Sequence, residues 1–595
     1  MSAVLNIKEV TSLAINQLYN CQSVPGDILV NATKPEFEGD YTVVLFAFIK
    51  QLKKSPEQLG QELGHKILSD NANLFTGFNV IKGFLNFTLS DGYWYDFIKS
   101  SADNPDYGTA GPNGQKVMVE YSSPNTNKPL HLGHLRNNFL GRSIAEILKA
   151  DGYDVTKTCI VNDRGIHICK SMIAWQWFAN GATPESTHTK GDHFVGDYYV
   201  KFNEAFKQQV ASLEASGMSK EEAEKEAPIM KATQQMLLDW EAGNPEVMEL
   251  WRKMNSWVYA GFDATYQRIG SDFDKTYYES NTYLLGKDLV ESGLASGVFF
   301  QKTDGSVWID LTSEGLDEKL VRRKDGTSVY ITQDIGLAEQ KQKEFKASQS
   351  IYVVGDEQNY HFKVLKLICQ KLGLPSADGI YHLSYGMVEL PTGKMKSREG
   401  TVVDADDLVA EMVNIARQKT EELGKVKDFT KEELEELYDI IGLGALKFFL
   451  LRVDPKKKMV FNPEESIDFH GFTGPFIQYT HARIKSILRK AAINHPPEKE
   501  LVYSQPLLPL EKELTLQLEM FPSVLQDAAK EHDPSKVAIY VFNLAKTFNS
   551  FYTEHSIGNA ENEEKKKLRL RLSRFTAQVI KTSMQVLGIR VPERM

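Results

Sequence analysis

The 595-residue sequence contains few cysteines and no long apolar segment. Its four cysteines, Cys21, Cys159, Cys169 and Cys369, form no C-x-x-C pair. This spacing argues against a disulfide framework or a structural zinc site and indicates a reducing compartment. No apolar run approaches the roughly 20 residues that cross a bilayer, and no secretory leader pattern opens the chain. We therefore expect a cytoplasmic protein that makes no membrane contact.

Internal repeats of about 20 to 50 residues are also missing, which argues against a solenoid. The net charge is −10, from 69 Lys and Arg against 79 Asp and Glu, and taken alone it argues against nucleic-acid binding. The distribution is uneven, because residues 565–595 hold nine basic residues and one acidic residue. Such a segment can present a local phosphate-binding face, and a solvated helix surface is the alternative.

Strand and helix patterns alternate between about residues 111 and 404. Strand patterns occupy Val117–Tyr121, Thr156–Val161, Ile351–Val354 and Tyr381–Glu389, and a helical period runs from near His131 to Gly152. This alternation predicts a parallel sheet in an α/β domain. Since roughly 150 residues make one domain, the length predicts about four.

The boundaries follow from changes in pattern. We predict an α+β N-terminal domain over 1–110, the α/β domain over 111–404 with a charged helical insertion at about 180–268, a helical connector over 405–466, and an all-α domain over 467–595.

The segment Ser122–His134 carries the strongest chemical pattern. It places His131 and His134 three residues apart, with Gly133 between them, at the predicted junction between a strand and the following helix. Free N–H groups and the dipole of the first helical turn attract phosphate there. Gly133 lets a ligand approach the backbone, and the imidazoles can donate hydrogen bonds to phosphate oxygens. Alternatively, the motif is only a capped helix start.

A second candidate element is the basic loop 393–400, which glycines bracket and which follows the last predicted strand. Its lysines and arginine could stabilise a triphosphate and leaving pyrophosphate. An ordinary solvated loop is the alternative. The sequence holds no P-loop and no metal-binding histidine pair, so a nucleotide would bind without either device.

Together these two elements resemble the "HIGH" and "KMSKS" signatures of class I aminoacyl-tRNA synthetases. Ser123, Pro124, Asn125 and Lys128 ahead of the histidines narrow the resemblance to the arginyl-tRNA synthetase family. The resemblance continues through Tyr330–Asp334, Gln358–His361, Gly386–Val403 and the C-terminal Val591–Met595, and is weakest in the insertion.

The resemblance implies a Rossmann-type catalytic domain, an N-terminal domain that contacts tRNA and a helical anticodon-binding domain. It implies an arginine–tRNA ligase with L-arginine, Mg²⁺-bound ATP and tRNA(Arg) as substrates, no protein-bound structural metal, and a monomeric state. ATP would contact His131, Gly133, His134 and the loop residues Lys394, Met395, Lys396 and Ser397.

One signature position departs from the family pattern, because Ser397 stands where the signature has its second lysine. Many family members share this departure, and a lysine just before the first histidine is thought to substitute. The resemblance therefore implies that Lys128 acts with Lys394, His131 and His134 in catalysis. Asn162–Gly165 also departs from the family's Gly-Asp-Trp-Gly, which leaves that contact with the terminal nucleotide in doubt.

The amino acid pocket can be argued from chemistry. A guanidinium offers five hydrogen-bond donors in a planar fork. Carboxylate and amide oxygens are the acceptors that bind this fork best. By resemblance, Tyr330 and Asp334 would hold the guanidinium, and Glu120, Asn125 and Gln358 the α-amino and carboxylate end. Ordinary strand-end and helix-cap roles are the alternatives for Glu120 and Asp334.

RNA contacts are expected from aromatic residues beside basic ones, since unpaired bases stack on aromatic rings. Tyr479 and Arg483, together with Phe476, show this pattern on a helix, although the same spacing also suits core packing. In the N-terminal domain, Phe84 and Asn86 are the candidate tRNA contacts.

Three alternatives to this function stay open. Another class I synthetase is the nearest, but a glutamyl or glutaminyl enzyme would need a basic pocket. A small nucleotidyltransferase would not explain the length or the basic C-terminus. A paralogue that binds tRNA without charging it is opposed by His131, His134 and Asp334, and weakly favoured by the altered basic loop.

Overall fold

The computed structural model describes residues 2–34, 36–389, 391, 403–422, 424, 428–494 and 504–595. Every described helix falls short of the length and apolar character that a membrane span requires. All four cysteines are free thiols, and three of them are buried.

The N-terminal region packs helices against an antiparallel sheet. Its elements are α1 (Ala3–Tyr19), β1 (Leu29–Ala32), β2 (Tyr41–Val44), α2 (Phe46–Leu52), α3 (Pro56–Asp70), β3 (Phe75–Ile81), β4 (Phe84–Leu89) and α4 (Asp91–Ser101). The strand order is β1-β2-β4-β3. In β4, Leu85, Phe87 and Leu89 alternate and are buried, as expected for a strand with one face on a core.

The central region contains a parallel sheet and an insertion. Its elements are β5 (Lys116–Glu120), α5 (Leu132–Ala150), β6 (Asp154–Val161), α6 (Ile166–Phe178), α7 (Pro184–Thr187), α8 (Gly191–Ala215), α9 (Lys220–Glu226), α10 (Pro228–Glu241), α11 (Pro245–Ile269), β7 (Lys275–Tyr278), α12 (Glu279–Thr282), α13 (Lys287–Ala295), β8 (Phe300–Gln301), β9 (Val307–Ile309), β10 (Lys319–Arg322), α14 (Tyr330–Phe345), β11 (Gln349–Gly355), α15 (Asn359–Lys371), β12 (Ile380–Tyr385) and β13 (Val388–Glu389). The parallel sheet has the order β12-β11-β5-β6-β7.

The C-terminal region is helical. Its elements are α16 (Ala405–Glu422), α17 (Lys431–Leu451), β14 (Met459–Val460), α18 (Pro463–Ser466), α19 (Gly474–Asn494), α20 (Pro509–Glu519), α21 (Phe521–Glu531), α22 (Pro534–Glu554) and α23 (Glu563–Val586). The predicted fold class is thereby confirmed: an α+β N-terminal part, a Rossmann-type parallel sheet with helical insertions, and an all-α C-terminal part.

Two details differ from the sequence-based expectation. The strand predicted over Tyr381–Glu389 is two strands, because Gly386 turns the chain after β12 and β13 then pairs with β14. A three-stranded antiparallel sheet, β10-β9-β8, also lies between β7 and α14, where the sequence analysis identifies no strand pattern. Its strands are two to four residues long, too short to show an alternating pattern.

Part of the basic C-terminal segment points inward. Lys565 and Arg569 are almost fully buried, and both donate to the buried carboxylate of Glu511, at 2.6 Å and 2.9 Å. Arg571 binds Asp103 at 2.6 Å. These cations are therefore bound to carboxylates of the chain itself. Only the other basic residues of 565–595 remain for a phosphate-binding face.

We predict that Glu511→Ala destabilises the C-terminal helices by about 3–5 kcal/mol, because two buried cations lose their carboxylate. Urea denaturation followed by circular dichroism measures this change. Glu531→Ala is the matched control, since Glu531 forms an exposed ion pair with Lys536 on neighbouring helices. It should cost no more than about 1 kcal/mol. Equal losses in the two variants would contradict the role of Glu511.

Candidate active site

The candidate site lies at one edge of the parallel sheet. The strands β5, β6, β7 and β11 run parallel, so their carboxyl ends meet there, which is where α/β sheets bind ligands. The segment Ser122–His134 leaves the end of β5 at this edge. Ser122 and Ser123 have φ of 80° and 49°, in the left-handed region that non-glycine residues seldom adopt.

Buried asparagines of α5 hold this strained turn. Asn137 Oδ1 accepts from the Ser122 backbone N–H at 2.5 Å, and Asn138 Nδ2 donates to the Ser122 hydroxyl at 3.2 Å. Asn137 also donates to the Val353 carbonyl of β11 at 2.7 Å. Strained backbone of this kind persists only where its surroundings hold it, and it concentrates at functional sites.

His131 and His134 interlock at the start of α5. His131 Nδ1 accepts from the Gly133 N–H at 3.1 Å, and His134 Nδ1 accepts from the His131 N–H at 3.2 Å. Their ring centroids are 3.9 Å apart. Because each Nδ1 acts as an acceptor, each neutral ring carries its proton on Nε2. The arrangement therefore leaves two Nε2–H groups as donors.

Both imidazoles are neutral at physiological pH. Burial, with a smaller contribution from the charge of Lys128, lowers the pKa of His131 to about 3. Burial, together with His131 and Lys128, lowers the pKa of His134 well below its usual value. Gly133 favours this packing, because a Cβ there would lie 3.0 Å from the ring of His131 and would press on it. The pair can bind an anion as fixed dipoles rather than as cations.

A cleft of about 200 Å³ opens beside the histidines and is lined by Ser123, His131, His134, Val354 and Met387, among others. Arg136, which is fully buried, fixes one wall of it. Its guanidinium donates to the carbonyls of Gly386 at 2.7 Å and Lys457 at 2.9 Å. Burial lowers the pKa of Arg136 to about 10, so it stays charged.

Carboxylates gather farther along the same edge. Asp334 of α14 lies 2.6 Å from His361 Nε2, and Tyr330 is 73% exposed at the start of α14. Glu279 directly follows β7. Burial and the charges of Asp163 and Asp334 raise the pKa of Glu279 to about 7, although Arg164 opposes them. Asp334 is therefore close enough for its charge to act on Glu279, and such a pair of acidic groups suits a cationic ligand.

Glu279 was not among the residues predicted from the sequence. The signal available was a glutamate directly after a strand of the sheet, but β7 is only four residues long and follows the insertion. The structure also adds Arg136, Asn137 and Asn138. These residues look like ordinary helix positions in the sequence, and only the fold shows that they hold the turn and the cleft wall.

The other predicted pocket residues lie in different environments. Glu120 is buried at the end of β5 and binds Lys341 Nζ at 2.5 Å, so this carboxylate already has a cationic partner. Asn125 and Gln358 are exposed. The Asn125 backbone bridges to Asn162 after β6. Glu120, Asn125 and Gln358 remain predictions.

Lys128 lines a second cavity of about 210 Å³, which it shares with His131, His193 and Asp404. This places Lys128 beside the first histidine, and its catalytic role stays a prediction. The predicted ATP contacts Lys394, Met395, Lys396 and Ser397 lie outside the described residues. Their roles therefore stay predictions.

Asn162–Gly165 has a structural role. The Asp163 carboxylate accepts from the Ser280 N–H at 2.8 Å and the Tyr259 hydroxyl at 2.8 Å. Arg164 stacks on Tyr283 at 3.9 Å from the ring centroid. Asp163 therefore binds Ser280, the residue that follows Glu279. Although Asn162–Gly165 departs from the family pattern, it still helps to position the acidic residue Glu279.

The predicted RNA contacts divide into two groups. Arg483 stacks on Tyr479 at 4.9 Å and donates to Asn549, and both residues are partly exposed. Asn86 is 1% exposed, and its amide binds Thr42 and Asn79 within the sheet, so the structure does not present it to RNA. The ring of Phe84 packs edge-on against Phe46 at 5.3 Å.

Comparisons with known proteins agree with this geometry. Residues 100–462 match the family described as tRNA synthetases class I (R), catalytic domain. Residues 5–89 match the arginyl tRNA synthetase N terminal domain, and residues 477–595 match the DALR anticodon binding domain.

The relatives match over the whole chain. An arginine–tRNA ligase of Amoebophilus asiaticus is 52% identical, with 100% of each chain covered. That of Parabacteroides distasonis is 53% identical, with 98% of each covered. The solved arginyl-tRNA synthetase of Thermus thermophilus superposes with a TM-score of 0.79 at 26% identity, covering 99% of each chain.

The parallel sheet, with its histidine pair at the carboxyl edge, is therefore the catalytic domain of a class I aminoacyl-tRNA synthetase. Since the catalytic match spans more than half of the chain and the relatives exceed half identity, the chain belongs to the arginyl-tRNA synthetase family.

Proposed function

We propose that this chain is an arginine–tRNA ligase that activates arginine with ATP and transfers it to the 3′-terminal adenosine of tRNA(Arg). The observation that carries the proposal is the pair of Nε2–H donors of His131 and His134, fixed at the same sheet edge as the carboxylates of Asp334 and Glu279. Acidic groups suit the guanidinium of arginine and oppose a glutamate or glutamine substrate.

The first step is adenylate formation. A carboxylate oxygen of arginine attacks the α-phosphorus of Mg²⁺-bound ATP, the substrate complex, and pyrophosphate leaves. Negative charge on the phosphate oxygens is stabilised by Nε2–H of His131 and His134, by Lys128 and, by resemblance, by Lys394. Neutral donors already held in place need no reorganisation as the charge develops.

The second step is transfer to RNA. The 2′-hydroxyl of the terminal adenosine attacks the carbonyl carbon of arginyl-adenylate, and AMP leaves. Tyr479 and Arg483 offer a stacking surface for unpaired bases of the tRNA. We assign tRNA contact to the N-terminal region as well, on the family resemblance of Phe84.

Arginine recognition is assigned to Tyr330, Asp334 and Glu279 at the guanidinium end. Asp334 and Glu279 come from α14 and the end of β7, and the charge of Asp334 contributes to the raised pKa of Glu279. Glu120, Asn125 and Gln358 are assigned to the α-amino and carboxylate end, where Lys341 Nζ lies 2.5 Å from the Glu120 carboxylate. A monomer in the cytoplasm completes the proposal.

Arginine-dependent ATP–pyrophosphate exchange tests the function. We expect exchange with arginine but not with glutamine, glutamate or lysine, because glutamine and glutamate lack the positive charge that an acidic edge binds, and lysine lacks the planar fork of donors of a guanidinium. We expect it only when total tRNA is present, since members of the family usually need tRNA for the first step.

The outcomes separate the alternatives. Exchange without tRNA would retain the arginine pocket and contradict the tRNA requirement. Exchange with another amino acid would indicate a different class I synthetase. Binding of tRNA without any exchange would contradict catalysis and leave the non-catalytic paralogue.

A second prediction concerns pH. Glu279 has a pKa raised to about 7, so lowering the pH from about 8 to about 6 protonates it and removes a partner of the cationic guanidinium. The KM for arginine should therefore rise as the pH falls. In Glu279→Gln, KM should be about 10- to 100-fold higher at pH 8 and nearly independent of pH, since a charged hydrogen bond is lost.

Glu291→Gln is the matched control, because Glu291 is an exposed glutamate on α13 that pairs with Arg322. It should keep the wild-type KM and its pH dependence. An unchanged pH dependence of KM in Glu279→Gln would contradict the assignment of Glu279.

A further inference from the structure

A cluster of charged residues joins the helical insertion to the chain beside His131. It consists of Lys190, Asp192, His193, Asp404 and Asp406, and we call it the insertion cluster. Lys190, Asp192 and His193 lie at the start of α8, in the insertion, whereas Asp404 and Asp406 lie at the start of α16. The cluster thus connects residues more than 200 positions apart in the chain.

A cation of the chain itself binds two carboxylates of the cluster. Among the described residues, Asp192, His193 and Asp406 have ligand atoms close enough to share one. The Lys190 ammonium, however, already lies 2.6 Å from Asp406 Oδ2 and 3.1 Å from Asp192 Oδ2. Although burial raises the pKa of Asp406, hydrogen bonds from His193 and Lys190 hold it well below its usual value. The contacts are therefore those of an ion-pair network.

This network reaches the backbone of His131. His193 Nε2 lies 3.0 Å from Asp406 Oδ2 and 3.4 Å from Asp404 Oδ2. Asp404 caps α16 by accepting from the Asp406 N–H at 2.8 Å. The Asp404 backbone in turn forms an antiparallel bridge with His131.

Two further backbone hydrogen bonds flank that bridge. The Leu132 N–H donates to the Val403 carbonyl at 3.1 Å, and the Ala405 N–H donates to the Leu130 carbonyl at 3.0 Å. The peptide groups on both sides of His131 are therefore bound to the residues on both sides of Asp404. Any displacement of Asp404 would shift the backbone that orients the His131 ring.

We propose that His193 and Asp406 are positioning residues for His131, through which the helical insertion sets the geometry of adenylate formation. His193 holds Asp404 and Asp406, and Asp404 holds the backbone of His131. The inference rests on the proposed function for its kinetic test. A catalytic group displaced by about 1 Å can lose up to about 10²-fold in rate, so the effect on kcat is measurable.

Exchange kinetics of His193→Ala and Asp406→Asn test this proposal. We expect kcat to fall by about 10- to 100-fold, because His131 loses its orientation. KM for arginine should stay unchanged, because the guanidinium carboxylates lie on α14 and after β7. In His193→Gln the amide Nε2 can donate where the imidazole Nε2 did, so this variant should recover most of the lost kcat.

The matched control is Arg268→Ala. Arg268 NH2 binds Asp439 Oδ1 at 2.7 Å and joins α11 of the insertion to α17, outside the hydrogen bonds of the insertion cluster. This variant removes an ion pair of the same kind and should keep the wild-type kcat. Unchanged kcat in both cluster variants, or an equal fall in Arg268→Ala, would overturn the proposal.

A measurement independent of activity separates the two proposals. The imidazole ¹⁵N chemical shifts of His131 should change in His193→Ala and Asp406→Asn but not in Arg268→Ala. Unchanged shifts would overturn the positioning role even if the chain catalysed no exchange. If the wild-type chain catalyses no exchange, but the His131 chemical shifts change in both variants, the proposed function is contradicted and the positioning role is retained.

Discussion

Two backbone N–H groups at the start of α5 govern the chemistry of this site. They donate to Nδ1 of His131 and of His134 and so determine that each ring offers Nε2–H to a ligand. Burial keeps both rings neutral. The site can therefore stabilise developing phosphate charge with oriented dipoles, without gaining or losing a proton on these rings.

Much of the remaining structure keeps this helix start in place. Asn137 and Asn138 hold the strained turn before it, and Arg136 fixes the cleft wall across from it. All three are buried polar residues on α5: Asn137 and Asn138 bind the Ser122 N–H and hydroxyl, and Arg136 and Asn137 bind carbonyls of distant segments. Because a buried polar group without a partner is costly, these hydrogen bonds favour one arrangement of the helix start over others.

The sequence predicted the parts that are local. The helix from His131 to Gly152 and the strands around it follow from periodicity, and the histidine pair follows from its motif. The contacts that complete the site are not local: Arg136 binds carbonyls more than 200 residues away, and the buried Lys341–Glu120 pair spans 221 positions. Glu279 was not predicted as a site residue for the same reason, because only the folded sheet brings it toward Asp334. The short strands β8 to β10 carry too few residues for a pattern.

The most direct test of the histidine account is ¹⁵N NMR of the chain with labelled histidine. We predict that His131 and His134 are both neutral, with protonated Nε2 and unprotonated Nδ1, and that neither titrates between about pH 5 and pH 8, because burial lowers both pKa values. A proton on Nδ1, or titration of either ring near its ordinary pKa of about 6.5, would contradict the account.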